Sequence, residues 1–445
     1  MRKHARALTT QKLCVTMRIG VVLLDHGEPP EYNEHTYYSF RNFATSLIDM
    51  GFIPKIVLRF DRGTILQDRN NIYAEKPSPN PALIDAWLHP YKGSAYFIPE
   101  AKRLRITRFG IYRKGTKPHY LARKTGPGHG EPDFYEMYGF EIYDRWLSMG
   151  GRSPFYDQTQ PQKEEVTRRL KKEFGNKVVI RFAYGIDPFP QWKNQTPEAV
   201  VKELVKENKI THLAVSEHFS VTTDSMSTFH LRKHVEHALH EMGAHIPVVY
   251  ADQLGGTDVF NEGVILKIKE ELDGLPKGAK VAVFLSNHGF PTTKIGKYNA
   301  AKDCYHQNVK KVFDSAREAI LQKIDWDGEL TVLQIFGQFL EKKYNPNYKM
   351  MGPLQALELV SSQGFEYAID IPYEFPGDSV DVLVKLRRAY GLEKLPNWNE
   401  KYETYFKYKG INVKIVSASF HPEHWVDSYH QRTVAAIERV VNEET

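Results

Sequence analysis

The chain has 445 residues, a net charge of +6 and a mean hydropathy of −0.48, which leaves room for two domains of ordinary size. No apolar run approaches the roughly 20 residues that cross a bilayer, and so modest a charge falls short of a nucleic-acid-binding signature. Two cysteines, Cys14 and Cys304, cannot supply a disulfide framework or four thiolates for an iron–sulfur cluster. The expected compartment is reducing and cytoplasmic, with a peripheral membrane contact left open.

Residues 1–16 carry Arg2, Lys3 and Arg6 and no acid, so they read as a basic leader or as sequence ahead of a true start at Met17. Residues 19–24 form an apolar run broken only by Gly20, the mark of a buried parallel strand. The turn Asp25-His26-Gly27-Glu28-Pro29-Pro30 follows. Tyr37, Phe40, Phe43 and Leu47 then fall at helical spacing ahead of Gly51, and 52–60 is strand-like again. Residues 61–149, rich in Pro, Gly, Arg and Tyr, break the pattern and read as an irregular insertion in a first domain.

The alternation resumes with strands at 177–184, 211–215, 246–250, 280–285, 330–335, 367–371 and 413–418. Between and after them, helices are predicted over 197–207, 228–242, 260–272, 302–322, 353–363, 378–390 and 425–441. This order predicts an α/β fold of two doubly wound parallel-sheet domains, 17–225 and 226–445, with an active-site cleft between them.

Open parallel sheets bind ligands outside the carboxyl ends of their strands. Four such ends are chemically capable: Asp25-His26-Gly27, Glu217-His218-Phe219-Ser220, Ser286-Asn287-His288-Gly289, and the stretch from Glu374 to Asp378. Each has a plainer reading, since a strand-end histidine often only bonds a turn, Asp378 can cap a helix and the glycines can serve tight turns. Three histidines delivered to one rim favour function over packing. No Gly-x-Gly-x-x-Gly, Walker-type or Gly-x-Ser-x-Gly motif is present, so no organic cofactor is expected. Ala101 to Gly130 holds nine Lys or Arg and no acid, a grip for carboxylates or an anionic surface, or a solvated insertion. His234, His237 and His240 fall on one predicted helix and read as a solvated face.

At these strand ends the chain resembles the ferrochelatases. Phe284-Leu285-Ser286-Asn287-His288-Gly289-Phe290-Pro291 is similar to the family's Ser-Ala-His-Ser/Gly-Leu-Pro signature. Asp303-Cys304-Tyr305-His306-Gln307 is similar to Asp-Pro-Tyr-Pro-Gln, and Gly150-Gly151-Arg152-Ser153-Pro154 to Gly-Gly-x-Ser-Pro. His218-Phe219-Ser220 and the run from Ile371 to Leu383 also match, in order, across about two thirds of the chain. Asp381 stands one methylene short of the family's glutamate, Ser379 replaces its histidine, and the tryptophan usual near Met350-Met351-Gly352-Pro353 is absent.

The resemblance implies a lyase of haem biosynthesis that inserts Fe2+ into protoporphyrin IX or coproporphyrin III without an iron–sulfur cluster. Its partners would be porphyrin and divalent metal, and it would work as a monomer or homodimer. His288 takes the catalytic position and Asp381 that of the glutamate, both also touching metal. His26, His218 and Glu374 complete the expected metal set, because imidazole and carboxylate suit ferrous iron. Ser153, Pro154, Ser286 and Asp378 are the expected porphyrin contacts. A sirohydrochlorin or cobalt chelatase, or a non-catalytic haem or metal carrier of the same fold, are the alternatives.

Overall fold

The computed structural model describes residues 17–31, 145–146, 148–149, 151–185, 195–223, 228–392 and 402–442, with two short strands at 96–97 and 121–122. The leader at 1–16, the helix near Tyr37, the strand at 52–60 and the basic run beyond residues 121–122 lie outside the described residues.

Strand β1 (Ile19–Asp25) is buried along its whole length, which is why it reads as a continuous apolar run. Its residues alternate between two cores. Ile19, Val21 and Leu23 face Val166, Leu170 and the C-terminal helix, while Val22 and Leu24 face Val200, Leu204 and Val235. Gly20 permits close packing, since a Cβ there would lie 2.6 Å from Ile210 Cδ1.

The short strands β2 (Tyr96–Phe97) and β3 (Leu121–Ala122) pair with each other, antiparallel. Around β1 the chain adds α1 (Phe155–Phe174), β4 (Val178–Tyr184), α2 (Pro197–Lys206), β5 (His212–Glu217), α3 (Thr228–Glu241) and β6 (Val248–Tyr250). The sheet order is β4-β1-β5-β6, all parallel. Pairing therefore runs on past residue 225, where a boundary was expected, and the passage to the second sheet falls after residue 250.

Helix α1 is absent from the predicted pattern. Its buried face sets Thr159, Gln162 and Lys163 beside Phe155, Val166 and Leu170, so the apolar stripe is too thin to register as a 3.6-residue period.

The second sheet follows α4 (Asp258–Asp273). It gathers β7 (Val281–Asn287), β10 (Leu330–Phe336), β11 (Tyr367–Ile371), β12 (Thr404–Tyr408) and β13 (Ile411–Ile415) in the order β10-β7-β11-β13-β12. All pair in parallel except β12, an antiparallel edge. Its alternating exposure and Lys407 hid it among the polar residues before β13. A small hairpin, β8 (Lys294–Ile295) and β9 (Tyr298–Asn299), leads into α5 (Tyr305–Lys323), and α6 (Pro353–Ser362) precedes β11. Here too the two faces are covered separately: Val281, Val283 and Leu285 join the large core, while Ala282 and Phe284 meet Ala356, Leu357 and Val360 of α6.

The helix expected over 378–390 is a π-helical segment, Asp381–Leu386, running into one α turn at Arg387–Ala389. Such segments recur at functional sites. Helix α7 (Pro422–Asn442) then returns to the first sheet. Tyr429 Oη donates to Ser216 O at 3.1 Å, Thr433 Oγ1 to Ser216 Oγ at 2.9 Å, and Arg439 to Tyr250 O at 2.8 Å. One buried cluster includes Val21 of β1, Val264 of α4, Val283 of β7 and Tyr429 of α7, so the two sheets share a core. Among the described residues no helix is long and apolar enough to cross a membrane.

Candidate active site

The rim at the strand ends is built outward from β7, whose seven buried residues deliver His288. Gly289 makes the following turn at φ +96°, and a Cβ there would sit 2.6 Å from Gln338 O, so backbone and space both demand glycine. The His288 main-chain N–H donates to Glu374 Oε2 at 2.7 Å, which binds the ends of β7 and β11 together. Its ring Nδ1 lies 2.7 Å from Gly289 O. A carbonyl only accepts, so Nδ1 carries the proton and Nε2 keeps a free lone pair. Nε2 stands 3.7 Å from Asp381 Oδ1.

Asp381 opens the π-helical segment, one turn ahead of Lys385, whose ammonium contacts its Oδ1. Gln338 Nε2 donates to the same oxygen at 2.9 Å. Burial would raise the Asp381 carboxyl, but Lys385, joined by His288 and His26 when these rings are protonated, outweighs it and holds the group well below the usual carboxylate range. Burial likewise pushes the His288 imidazole down, only partly offset by Asp381. The ring is therefore neutral at pH 7. Around this pair lies a small cavity, with room for about one water-sized group, lined by Ser286, His288, Gln338, Phe375, Asp381 and Leu386 among others.

The expected residues divide. His288, Asp381 and Ser286 meet in this cavity. His26 comes to the same rim from β1, edge-on to Phe155 and Phe219 at 6.5 and 6.3 Å, and within reach of the Asp381 charge. Burial lowers its pKa, partly offset by the charges of Asp381 and Asp25. Glu374 stands behind His288 and is occupied, accepting also from Tyr305 Oη at 3.0 Å, while burial pushes it up to about 7.

His218 does not reach the cavity. It is fully buried, stacked on Tyr429 at 4.7 Å, with Nε2 3.0 Å from Gln162 Oε1 and Nδ1 3.9 Å from Asp25. Asp25 in turn holds Lys163 Nζ at 2.5 Å, with neither side chain open to solvent. Burial alone would raise Asp25, but Lys163 and His218 keep it charged. This is a buried polar knot beneath the rim, not an open ligand.

Three expected porphyrin contacts are also spent internally. Ser153 is buried and donates to Glu28, and Pro154 precedes the first turn of α1. Asp378 accepts from Ser417 Oγ at 2.5 Å, Ala418 N at 2.8 Å and Gln158 Nε2 at 3.0 Å, tying the β11 loop to α1 and to the chain beyond β13. Glu28, Gln338 and Lys385 were not singled out from the sequence. The i,i+4 spacing of Asp381 and Lys385 was the one legible signal among them. Glu28 reaches across to Val380, whose N–H lies 3.0 Å from both carboxylate oxygens.

The ferrochelatase family model matches residues 140–332, a span that includes His218 and His288 but ends before Asp381. Ferrochelatases of Geobacter sp. (strain M21) and Citrifermentans bemidjiense are each 21% identical over 255 residues, 57% of this chain and 72% of theirs. Among solved structures, SirB from Bacillus subtilis with Fe3+ aligns at a TM-score of 0.39 and 14% identity, over 63% of this chain and 90% of that one. The sirohydrochlorin chelatase SirB from Bacillus subtilis subspecies spizizenii in complex with cobalt aligns at 0.38 with the same identity and coverage.

Proposed function

We propose that this chain, a relative of the ferrochelatases across residues 140–332, is a metal chelatase that inserts Fe2+ into a porphyrin, protoporphyrin IX or coproporphyrin III. The observation that carries this reading is the pair His288 and Asp381, a neutral imidazole lone pair 3.7 Å from a carboxylate kept charged, facing one cavity. Metallation releases two pyrrole N–H protons and takes up one divalent ion. His288 Nε2 accepts one of these protons from the macrocycle, as a neutral imidazole suits at pH 7, and the second passes to solvent. Asp381 supplies the negative charge that draws the incoming ion, a pairing of imidazole and carboxylate suited to ferrous iron. Phe375, on the cavity wall, offers an apolar edge to the ring system.

His26 supports a second reading, chelation of sirohydrochlorin or a cobalt-accepting tetrapyrrole, because it brings another imidazole toward Asp381. An anaerobic assay would follow the visible spectrum with Fe2+ or Co2+ and protoporphyrin, coproporphyrin or sirohydrochlorin. The first reading expects porphyrin metallation that falls about 10²–10⁴-fold in His288→Ala. Turnover of sirohydrochlorin alone, lost in His26→Ala, would select the second. Binding of every tetrapyrrole without turnover would overturn both in favour of a carrier.

A further inference from the structure

A second group of ligating side chains lies at the start of α7 and shares no residue with the cavity at His288. Nitrogens of His421 and His424 and a carboxylate oxygen of Glu423 lie within 4.8 Å of one another. His421 Nδ1 is 3.1 Å from Glu423 Oε1, and His424 Nδ1 is 3.4 Å from the same oxygen. Ligands about 2.1 Å from a tetrahedral ion stand about 3.4 Å apart, so an ion fits among them with little movement.

Three further observations bear on the group. Glu270 of α4 places Oε1 3.0 Å from the far ring nitrogen of His421, an ion-pair contact that lacks hydrogen-bond geometry here and that a small ring rotation would turn into the carboxylate–histidine arrangement that orients metal-bound imidazoles. His424 Nδ1 is buried and makes no hydrogen bond among the described residues, a cost that a ligand would relieve. Gly263, inside α4, opens the space for the imidazole, because a Cβ there would meet His424 Cβ at 2.9 Å and Cγ at 3.1 Å. A glycine in a helix interior is less favourable than alanine, so its place here is not a matter of helix propensity. The imidazoles are 19% exposed and Glu423 57%, which leaves the group reachable from solvent.

The other mixed cluster among the described residues, Glu198, His237 and Glu241, already has its cation. Lys202 bridges both carboxylates at 2.7 and 2.6 Å.

We propose that His421, Glu423 and His424 bind one divalent transition-metal ion, with Glu270 orienting His421, at a site separate from the chelation cavity. Two imidazoles and one carboxylate with an open fourth position suit zinc or ferrous iron. The bound ion would clamp the loop after β13, and the start of α7, to α4.

The test is calorimetric titration of the metal-stripped full chain with Zn2+, in the parent and in Glu423→Gln, His424→Ala, Gly263→Ala and His288→Ala. One equivalent should vanish in Glu423→Gln and His424→Ala, weaken in Gly263→Ala, and persist in His288→Ala. Glu270→Gln should weaken it about 10–100-fold. Glu423 is exposed, so matching circular dichroism and metal-free melting of Glu423→Gln would show that folding is not what changed. The proposal is overturned if Glu423→Gln and His424→Ala bind Zn2+ as the parent does, or if the only Zn2+ bound is lost in His288→Ala. Tetrapyrrole metallation should be unchanged in His424→Ala, which separates failure of this site from failure of the chelatase reading.

Discussion

Gly289 occupies the Nδ1 proton of His288, and Glu374 fixes the backbone from which that ring hangs. A base held from two sides is sensitive to supports that never touch substrate. Glu374→Ala should therefore lower kcat by about 10²-fold with little change in KM, since misplacing a reacting group by about 1 Å costs that much; steady-state kinetics on the same porphyrin would show it. Glu28 offers a different test. Burial pushes its carboxyl up to about 8, against the Ser153 hydroxyl and the Val380 N–H, which favour the charged form. A raised folded pKa means the folded state binds the proton more tightly. The contribution of Glu28 is complete below about 4.5 and is lost as pH rises toward 8. Urea melts of the parent should weaken over that interval, and Glu28→Gln should flatten the slope; an unchanged slope would refute the assignment. His288 and Ser286 were legible in the sequence because a strand end fixes where its next residues go, whereas Asp381 was named only through the family resemblance. His218 was not, because its burial is decided by Gln162 and Tyr429, far away in the chain.

Helix α1 and strand β1 meet through the ion pair of Lys163 and Asp25, closed off by His218 and Tyr184. A buried charge without its partner is expensive, so Lys163→Met alone should cost about 3–5 kcal/mol. Lys163→Met combined with Asp25→Leu should recover much of that loss, and the double-mutant cycle by chemical denaturation measures the coupling. The same polar contacts explain why α1 escaped prediction. Periodicity registers apolar faces, whereas α1 turns inward a threonine, and a lysine and a glutamine whose partners only the tertiary fold supplies. The parallel strands were legible for the opposite reason, since burial on both faces leaves uninterrupted apolar runs such as 281–285.

Over the whole molecule, the predicted pair of sheets stands, but its expected division near residue 225 does not describe the packing. Strand β6 closes the first sheet, and α7 crosses back to cover it. Trp425 sits in the shared core, against Phe260 of α4 at 5.0 Å and His218 at 6.1 Å. Trp425→Ala should cost about 3–5 kcal/mol, and circular dichroism and tryptophan fluorescence should still report one coincident unfolding transition. Two separated transitions would mean that each sheet folds alone. No local pattern could reveal this, because α7 reads as an ordinary amphipathic helix and its partner is set by topology.

The return of α7 also orders events during synthesis. Tyr429 and Ser216, which it joins, are 213 residues apart. At roughly 5–20 residues per second a ribosome needs about 10–40 s to cover that distance. Throughout that interval β5 has emerged without the helix that covers one of its faces, and Ala214 is open to water or to another chain. The first sheet made is thus the last one finished, and on the ribosome it is a natural client for chaperones that shield apolar surface.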